Sequence, residues 1–306
     1  MYISFSIFTP IPDTINITVS VIENIKIYPI NSPIKLFIMK IEITDIALLL
    51  EHIPFLFLAF LRVFLSFLCL YVYIKFKHIT LERISYKRII IISFFGIYLN
   101  FLFTFYGMQE VKGVDNALIN ALSPMITLIV SYHFLHSKLS KKEFFAVILS
   151  SLAFFLSIRF QIFSLKLGFY LMLLGMLCYM ISHVLLQKWN IKNFISYTLY
   201  QLGLGSLLLF IHSLSIGQFL IFDSNIPIYY WLLFIVISGI GFAYIQVVYM
   251  KASYVIGTVK TSFFLGLNPI VTYIASLFIL NESLDFIHIL SFVLMMISVF
   301  IVKSKN

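Results

Sequence analysis

An arginine stands inside EHIPFLFLAFLRVFLSFLCLYVYIKFK, residues 51–77, where the run from Pro54 to Ile74 carries no other charge. As a helix, a run of that length crosses about 30 Å of hydrocarbon, and a central arginine costs about 2.5–3.5 kcal/mol to insert. Arg62 lies eight residues after Pro54, about 12 Å along the helix, so its side chain either snorkels to the interface or faces a wet interior. In the second case it is a fixed positive charge for an anionic or zwitterionic molecule. Tyr98, Asn120, Tyr179, His183, Gln201, Tyr244, Gln246 and Asn268 also lie within apolar runs. They offer hydroxyl, amide and imidazole groups, and for each by itself a hydrogen bond between helices is the simpler role.

Bond-breaking chemistry lacks its parts. There is no HExxH, no GxSxG and no pair of intramembrane aspartates. Nor is there a phosphate-binding glycine loop with its lysine, so the chain is not expected to be an enzyme or to need a cofactor. Cys69 and Cys178 sit in apolar runs without the paired spacing of a zinc site, and no metal is expected. Every Asp and Glu falls at a run boundary or in a loop, including Glu110, Asp115, Glu143 and Glu282. Proton-coupled carriers commonly use an intramembrane carboxylate, so exchange or uniport fits at least as well, with His183 the other titratable candidate.

The elements that must position these groups follow from composition. The chain of 306 residues is 61% hydrophobic and 11% charged, with a mean hydropathy of +1.05. Such values describe an all-α polytopic membrane protein whose partner is the lipid bilayer. Nine clear transmembrane runs are visible: 54–74, 89–107, 117–135, 144–163, 167–186, 195–214, 228–249, 259–280 and 286–302.

The net charge of +9 does not form a nucleic-acid stripe but sorts by loop. Lys75, Lys77, Arg83, Lys87, Arg88, Lys138, Lys141, Lys142, Lys188, Lys192, Lys251, Lys260, Lys303 and Lys305 share one side, against Lys112, Arg159 and Lys166 on the other. That bias assigns the first side, and the C-terminus, to the cytoplasm.

Ahead of these runs, Ile34 to Leu50 is the sole further span candidate, but it holds Lys35, Lys40, Glu42 and Asp45. Three inner charges at about 2.5–3.5 kcal/mol each outweigh about 0.3–0.6 kcal/mol gained per large apolar residue. By itself it should not span. Upstream, TINITVSVIENIKIYPI alternates as a strand would and lacks the build of a secretory signal.

An internal repeat organises the rest. Gly96 falls on Gly241, Ser123-Pro124 on Asn268-Pro269, and Leu139 on Leu284, all at one spacing of 145 residues. FLFLAFLRVFLSFL from Phe55 lies over FISYTLYQLGLGSL from Phe194, which sets Arg62 against Gln201. The loop LHSKLSKKE is basic where its counterpart LNESLDF is acidic, and the two prolines stand on the third and eighth runs, five steps apart, an odd number. The copies are therefore expected to be inverted, with a site near the midplane between them. Pro124 and Pro269 are gating or kink candidates, because each removes a backbone donor within a run. Gly96 and Gly241 are expected to allow close helix packing.

EHIPFLFLAFLRVFLSFL, NALINALSPMITLIVSYHFLHSKLSKKEFFAVIL and TVKTSFFLGLNPIVTYIASLFILNESLDFIHIL resemble the corresponding segments of the drug/metabolite transporter superfamily, EamA type. The resemblance covers residues 46–303 and rests on the order of spans, loop charge and proline-bearing helices. It implies ten helices in two inverted units of five, a central cavity, and both termini cytoplasmic. Residues 1–45 then form an atypical N-terminal segment of unassigned role, 46–163 the first repeat and 164–306 the second. Where the family's first helix usually carries a tryptophan, this chain has its charged segment. The resemblance also places Arg62 and the polar residues named above on helices beside the cavity, which makes them substrate candidates. Alternating access for small metabolites across the cytoplasmic membrane is the implied activity. A transport-inactive relative is the alternative, and a membrane enzyme a more remote one. Nothing in the chain calls for a protein partner, so a monomer would suffice.

Overall fold

The computed structural model describes residues 53–110, 119–120, 122–136, 140–157, 166–218, 228–265 and 286–303. Among them, helices alone provide the regular structure. They are α1 (Phe55–Phe76), α2 (Tyr86–Met108), α3 (Ser123–Leu135), α4 (Lys141–Ser157), α5 (Leu167–Lys188), α6 (Phe194–Ser215), α7, α8 (Thr258–Leu265) and α9 (Phe286–Lys303). α7 runs through three segments, Ile228–Phe234, Ile235–Gly241 and Phe242–Ile256.

Five of the nine expected spans are long and apolar enough to cross a membrane among the described residues: α1, α2, α5, α6 and the Ile235–Ile256 part of α7. The other four expected runs fall on α3, α4, α8 and α9, which are not among these five, so the expectation of nine clear spans is met in five. The charged segment 34–50, with Asn268 and Pro269, lies outside the described residues.

Local signals set several helix ends. Ser140 and Glu143 form a reciprocal capping box at the start of α4, with N–H to oxygen distances of 3.1 and 3.2 Å. Asn193 Oδ1 accepts from the Ser196 amide at 3.1 Å to open α6. Gly257, at a φ of +89°, ends α7 and turns the chain directly into α8.

The bundle is arranged for hydrocarbon. Large apolar residues point outward, including Val72, Ile90, Ile211, Leu232 and Ile240, while Ser66, Ser93, Ser123, Thr127, Ser182 and Ser206 are buried. Lipid tails are as apolar as leucine, so helices gain by bringing small and hydrogen-bonding residues to their contacts. Gly107 meets the backbone of Gly168, and Gly175 meets Asn100 and Thr104, which lets α2 and α5 approach closely.

Elements matched by the repeat pack on one another. Phe60 of α1 meets Phe210 of α6 at a tilt, 5.0 Å between ring centres, and Phe67 lies against Gly203. Contacts that advance along one helix while receding along the other make α1 and α6 antiparallel. α4 and α9 behave likewise: Ala146 and Val147 cluster with Ile301, and Ala153 and Phe154 with Met295. Ser123 of α3 donates to the Ser262 carbonyl of α8 at 2.8 Å.

This register has a direct test. Paired cysteines from Phe60→Cys and Phe210→Cys should cross-link in membranes, whereas Phe60→Cys with Leu199→Cys, displaced by about 16 Å along α6, should not. Efficient cross-linking of the second pair would contradict antiparallel packing.

Candidate functional site

Two of the long helices change pitch at corresponding places. α2 is π-helical over Phe94–Leu99, and α7 over Ile235–Gly241. Gly96 and Gly241, matched by the repeat, both fall in these segments. A π turn is wider than an α turn, and its carbonyls open to donors from other helices. Gln201 Nε2 of α6 donates to the Ile92 carbonyl at 3.2 Å, at the entrance to the first π segment. Ser66 Oγ of α1 lies within hydrogen-bonding reach of the Ser238 carbonyl inside the second and, at 2.9 Å, of the Arg62 carbonyl, its one proton shared between them. Each wide turn is thus bracketed by the matched helix of the opposite repeat.

Gly96 and Gly241 differ in surroundings. A methyl group added at Gly96 would collide with Gln201 Nε2 and Ser182 Oγ, so glycine is what admits the Gln201 bracket. At Gly241 it would meet nothing nearer than the Val236 carbonyl at 3.7 Å.

A polar and aromatic cluster lies between α5 and α7. Tyr179 and His183 are one turn apart on α5, and Gln246 and Tyr249 are three apart on α7, so each pair shares a face. The Tyr179 hydroxyl donates to Gln246 Oε1 at 3.2 Å. The imidazole of His183 lies 4.4 Å from the Tyr179 ring centre and 4.6 Å, edge-on, from that of Tyr249. His183 is fully buried and Gln246 nearly so. Neither ring nitrogen of His183 has a hydrogen-bond partner, and neither does Gln246 Nε2.

Arg62 joins the same side of α7. It is 8% exposed, and its guanidinium carbon stands 5.1 Å from the centre of the Phe242 ring, one turn before Gln246. Phe242 in turn meets Phe101 edge-on at 5.4 Å. The guanidinium is therefore inside the bundle, supported by a ring face.

The remaining candidates are dispersed. Gln201 is fully buried beside Ser182 and Gly96, with its Oε1 unpartnered. Tyr98 is half-buried, and its hydroxyl pairs with His212 Nδ1 at 3.0 Å between α2 and α6. Asn120 is half-buried just before α3. Tyr244 is 41% exposed on the stripe of Val236 and Ile240, the outer face of α7. Pro124 stands in the first turn of α3, a position that tolerates a missing amide, rather than in the middle of the described helix. Tyr249, Phe242, Ser66 and Ser182 were not singled out from the sequence; the spacing of Tyr249 from Gln246 was the available signal. Among the described residues no three His, Cys, Asp or Glu side chains gather as a metal site would require.

A family model described as the EamA-like transporter family matches residues 38–159 and again residues 166–304. The chain belongs to the EamA-like transporter family. As an EamA-like protein it is a multi-pass membrane protein built from two repeats of a transporter unit. The first match begins within the charged segment before α1. A comparison with curated proteins finds no match. A solved structure described only as "Crystal structure of protein" is similar over 87% of this chain and 94% of its own, with a TM-score of 0.62 and 12% identity. At that identity the likeness extends to the fold alone.

The unequal glycines of this EamA-like chain give a paired test. Gly96→Ala should lower stability by about 1–3 kcal/mol, the usual penalty for overpacking, whereas Gly241→Ala should leave the melting temperature in detergent nearly unchanged. Equal effects would contradict the Gln201 bracket.

Proposed function

We propose that this protein is a secondary transporter that moves small metabolites across the cytoplasmic membrane by alternating access. The two repeats are inverted, and substrate binds between them near Arg62 and the Tyr179–His183–Gln246 cluster. One observation carries the reading: a guanidinium and unpartnered polar side chains lie buried along one face of α7, against helices of both repeats. Such groups are costly in a membrane and ordinarily mark a substrate or ion path.

Antiparallel packing of α1 with α6 and of α4 with α9 supports inversion. The matched π segments are natural places for the halves to flex, since their hydrogen bonding is already irregular. Arg88 lies over Trp189, Lys188 over Phe134, and Lys260 pairs with Glu143 at 3.9 Å. These contacts gather the lysine-rich loops at one end of the bundle, in keeping with a cytoplasmic face there and a cytoplasmic C-terminus.

Arg62 favours an anionic or zwitterionic metabolite, such as an amino acid, because a fixed guanidinium would repel an organic cation. No described transmembrane helix has an acidic residue beyond Glu143 in the first turn of α4, so exchange or uniport is preferred over proton coupling through a carboxylate.

Purified protein in liposomes, offered labelled amino acids and other small metabolites, should show saturable flux. Arg62→Ala should reduce it at least about tenfold, in line with about 1.5–3 kcal/mol for a lost charge-assisted hydrogen bond. Monodisperse elution and an unchanged melting curve would show that the variant remains folded, and Arg62→Lys should retain part of the flux. Undiminished flux in the alanine variant would remove Arg62 from the site. Absence of flux for every compound would favour a transport-inactive relative.

A further inference from the structure

His183, Tyr179, Tyr249 and Gln246 hold three polar atoms with no partner: both imidazole nitrogens and the Gln246 amide nitrogen. Each buried and unmade hydrogen bond is a cost that a molecule entering the cluster would relieve. The chemistry of the cluster defines what would relieve it. A neutral imidazole offers one donor and one acceptor, and a glutamine amide nitrogen offers donors. Two tyrosine rings beside them supply flat, apolar faces.

We infer that this cluster receives the flat, uncharged, hydrogen-bonding end of the transported molecule, a ring edge carrying neighbouring C=O and N–H groups as in a lactam or nucleobase. The inference rests on the carrier reading above and deepens it. Any charge on the substrate lies at the other end, towards Arg62.

The alternatives fit less well. An ammonium group would meet no carboxylate on α5 or α7, because neither helix contains one. Nor is there a ready aromatic cage, since the three rings are in contact with each other, with centres 4.4, 4.6 and 5.7 Å apart. A carboxylate would find donors here, but the nearest cations on these two helices, Lys188 and Lys251, stand five residues beyond His183 and Gln246, about 140° around each helix. A planar ring satisfies both demands. As α5 and α7 part, it exchanges ring-to-ring contacts for stacking on tyrosine and pairs the polar atoms now left open.

The experiment uses the full chain in detergent and in liposomes, with uracil, nicotinamide and hypoxanthine as uncharged heterocyclic probes and leucine and choline as the contrasting charged ones. At least one heterocycle should raise the melting temperature saturably, and His183→Phe should weaken that binding at least tenfold. The same variant should melt no lower than the parent, because phenylalanine keeps the ring and removes two unpartnered nitrogens. A double variant, Tyr179→Phe with Gln246→Leu, removes both partners of one hydrogen bond and should likewise bind weakly while staying folded.

Heterocycle binding that survives both variants would overturn the assignment, as would leucine or choline binding that depends on His183 just as strongly. Failure of all three heterocycles to bind would also overturn it. If leucine were nonetheless transported through Arg62, the carrier reading would stand without this one. If no compound moved at all, the carrier reading itself would fail.

Discussion

Inside a bilayer a polar group has no water to turn to, so every carbonyl, amide and charge must be satisfied by protein or lie along a path that water and substrate can enter. That constraint decides which parts of this molecule are scaffold and which are site. Most buried serines and threonines obey it locally. Ser66, Thr127, Ser150 and Ser291 bond to carbonyls within their own helices, and Ser123 reaches across to α8. Against that background the unpartnered atoms of His183 and Gln246 stand out, because they lie together between α5 and α7.

The same constraint explains the brackets around the π segments. A widened turn offers carbonyls that lipid cannot serve, and each repeat supplies a donor to the other: Gln201 to α2, Ser66 to α7. An irregular turn held by one exchangeable hydrogen bond can be relaid at modest cost, whereas a regular α-helix would have to break several bonds at once. Wide turns and close contacts thus sit side by side in the same helices. Gly96 belongs to both groups, since it is in the π segment and against Gln201.

Much of this was legible in the sequence because hydrocarbon imposes a simple grammar. The apolar runs gave the helices, and the order of proline-bearing helices and loop charges led to the family that the matched residues bear out. Tyr179, His183 and Gln246 were readable because a polar residue in an apolar run must be accounted for. What the sequence could not show is facing. A tyrosine within a span reads the same whether it looks inward, as Tyr249 does, or outward, as Tyr244 does, although the Val236, Ile240, Tyr244 stripe was a clue. The π segments had no residue signature beyond the paired glycines, because pitch follows from packing between helices rather than from local preference. Charge arithmetic on residues 34–50 treats the segment as isolated and so says nothing of what neighbouring helices would contribute.

The central claim is that the Arg62 side of α7 opens alternately to the two aqueous phases. It is tested most directly by replacing Cys69 and Cys178 with serine, introducing Gln246→Cys, and treating oriented vesicles with a membrane-impermeant thiol reagent from each side in turn. The account predicts modification from both sides, slowed by a transported compound. A thiol that reacts from neither side, while lipid-soluble reagents label it freely, would contradict it.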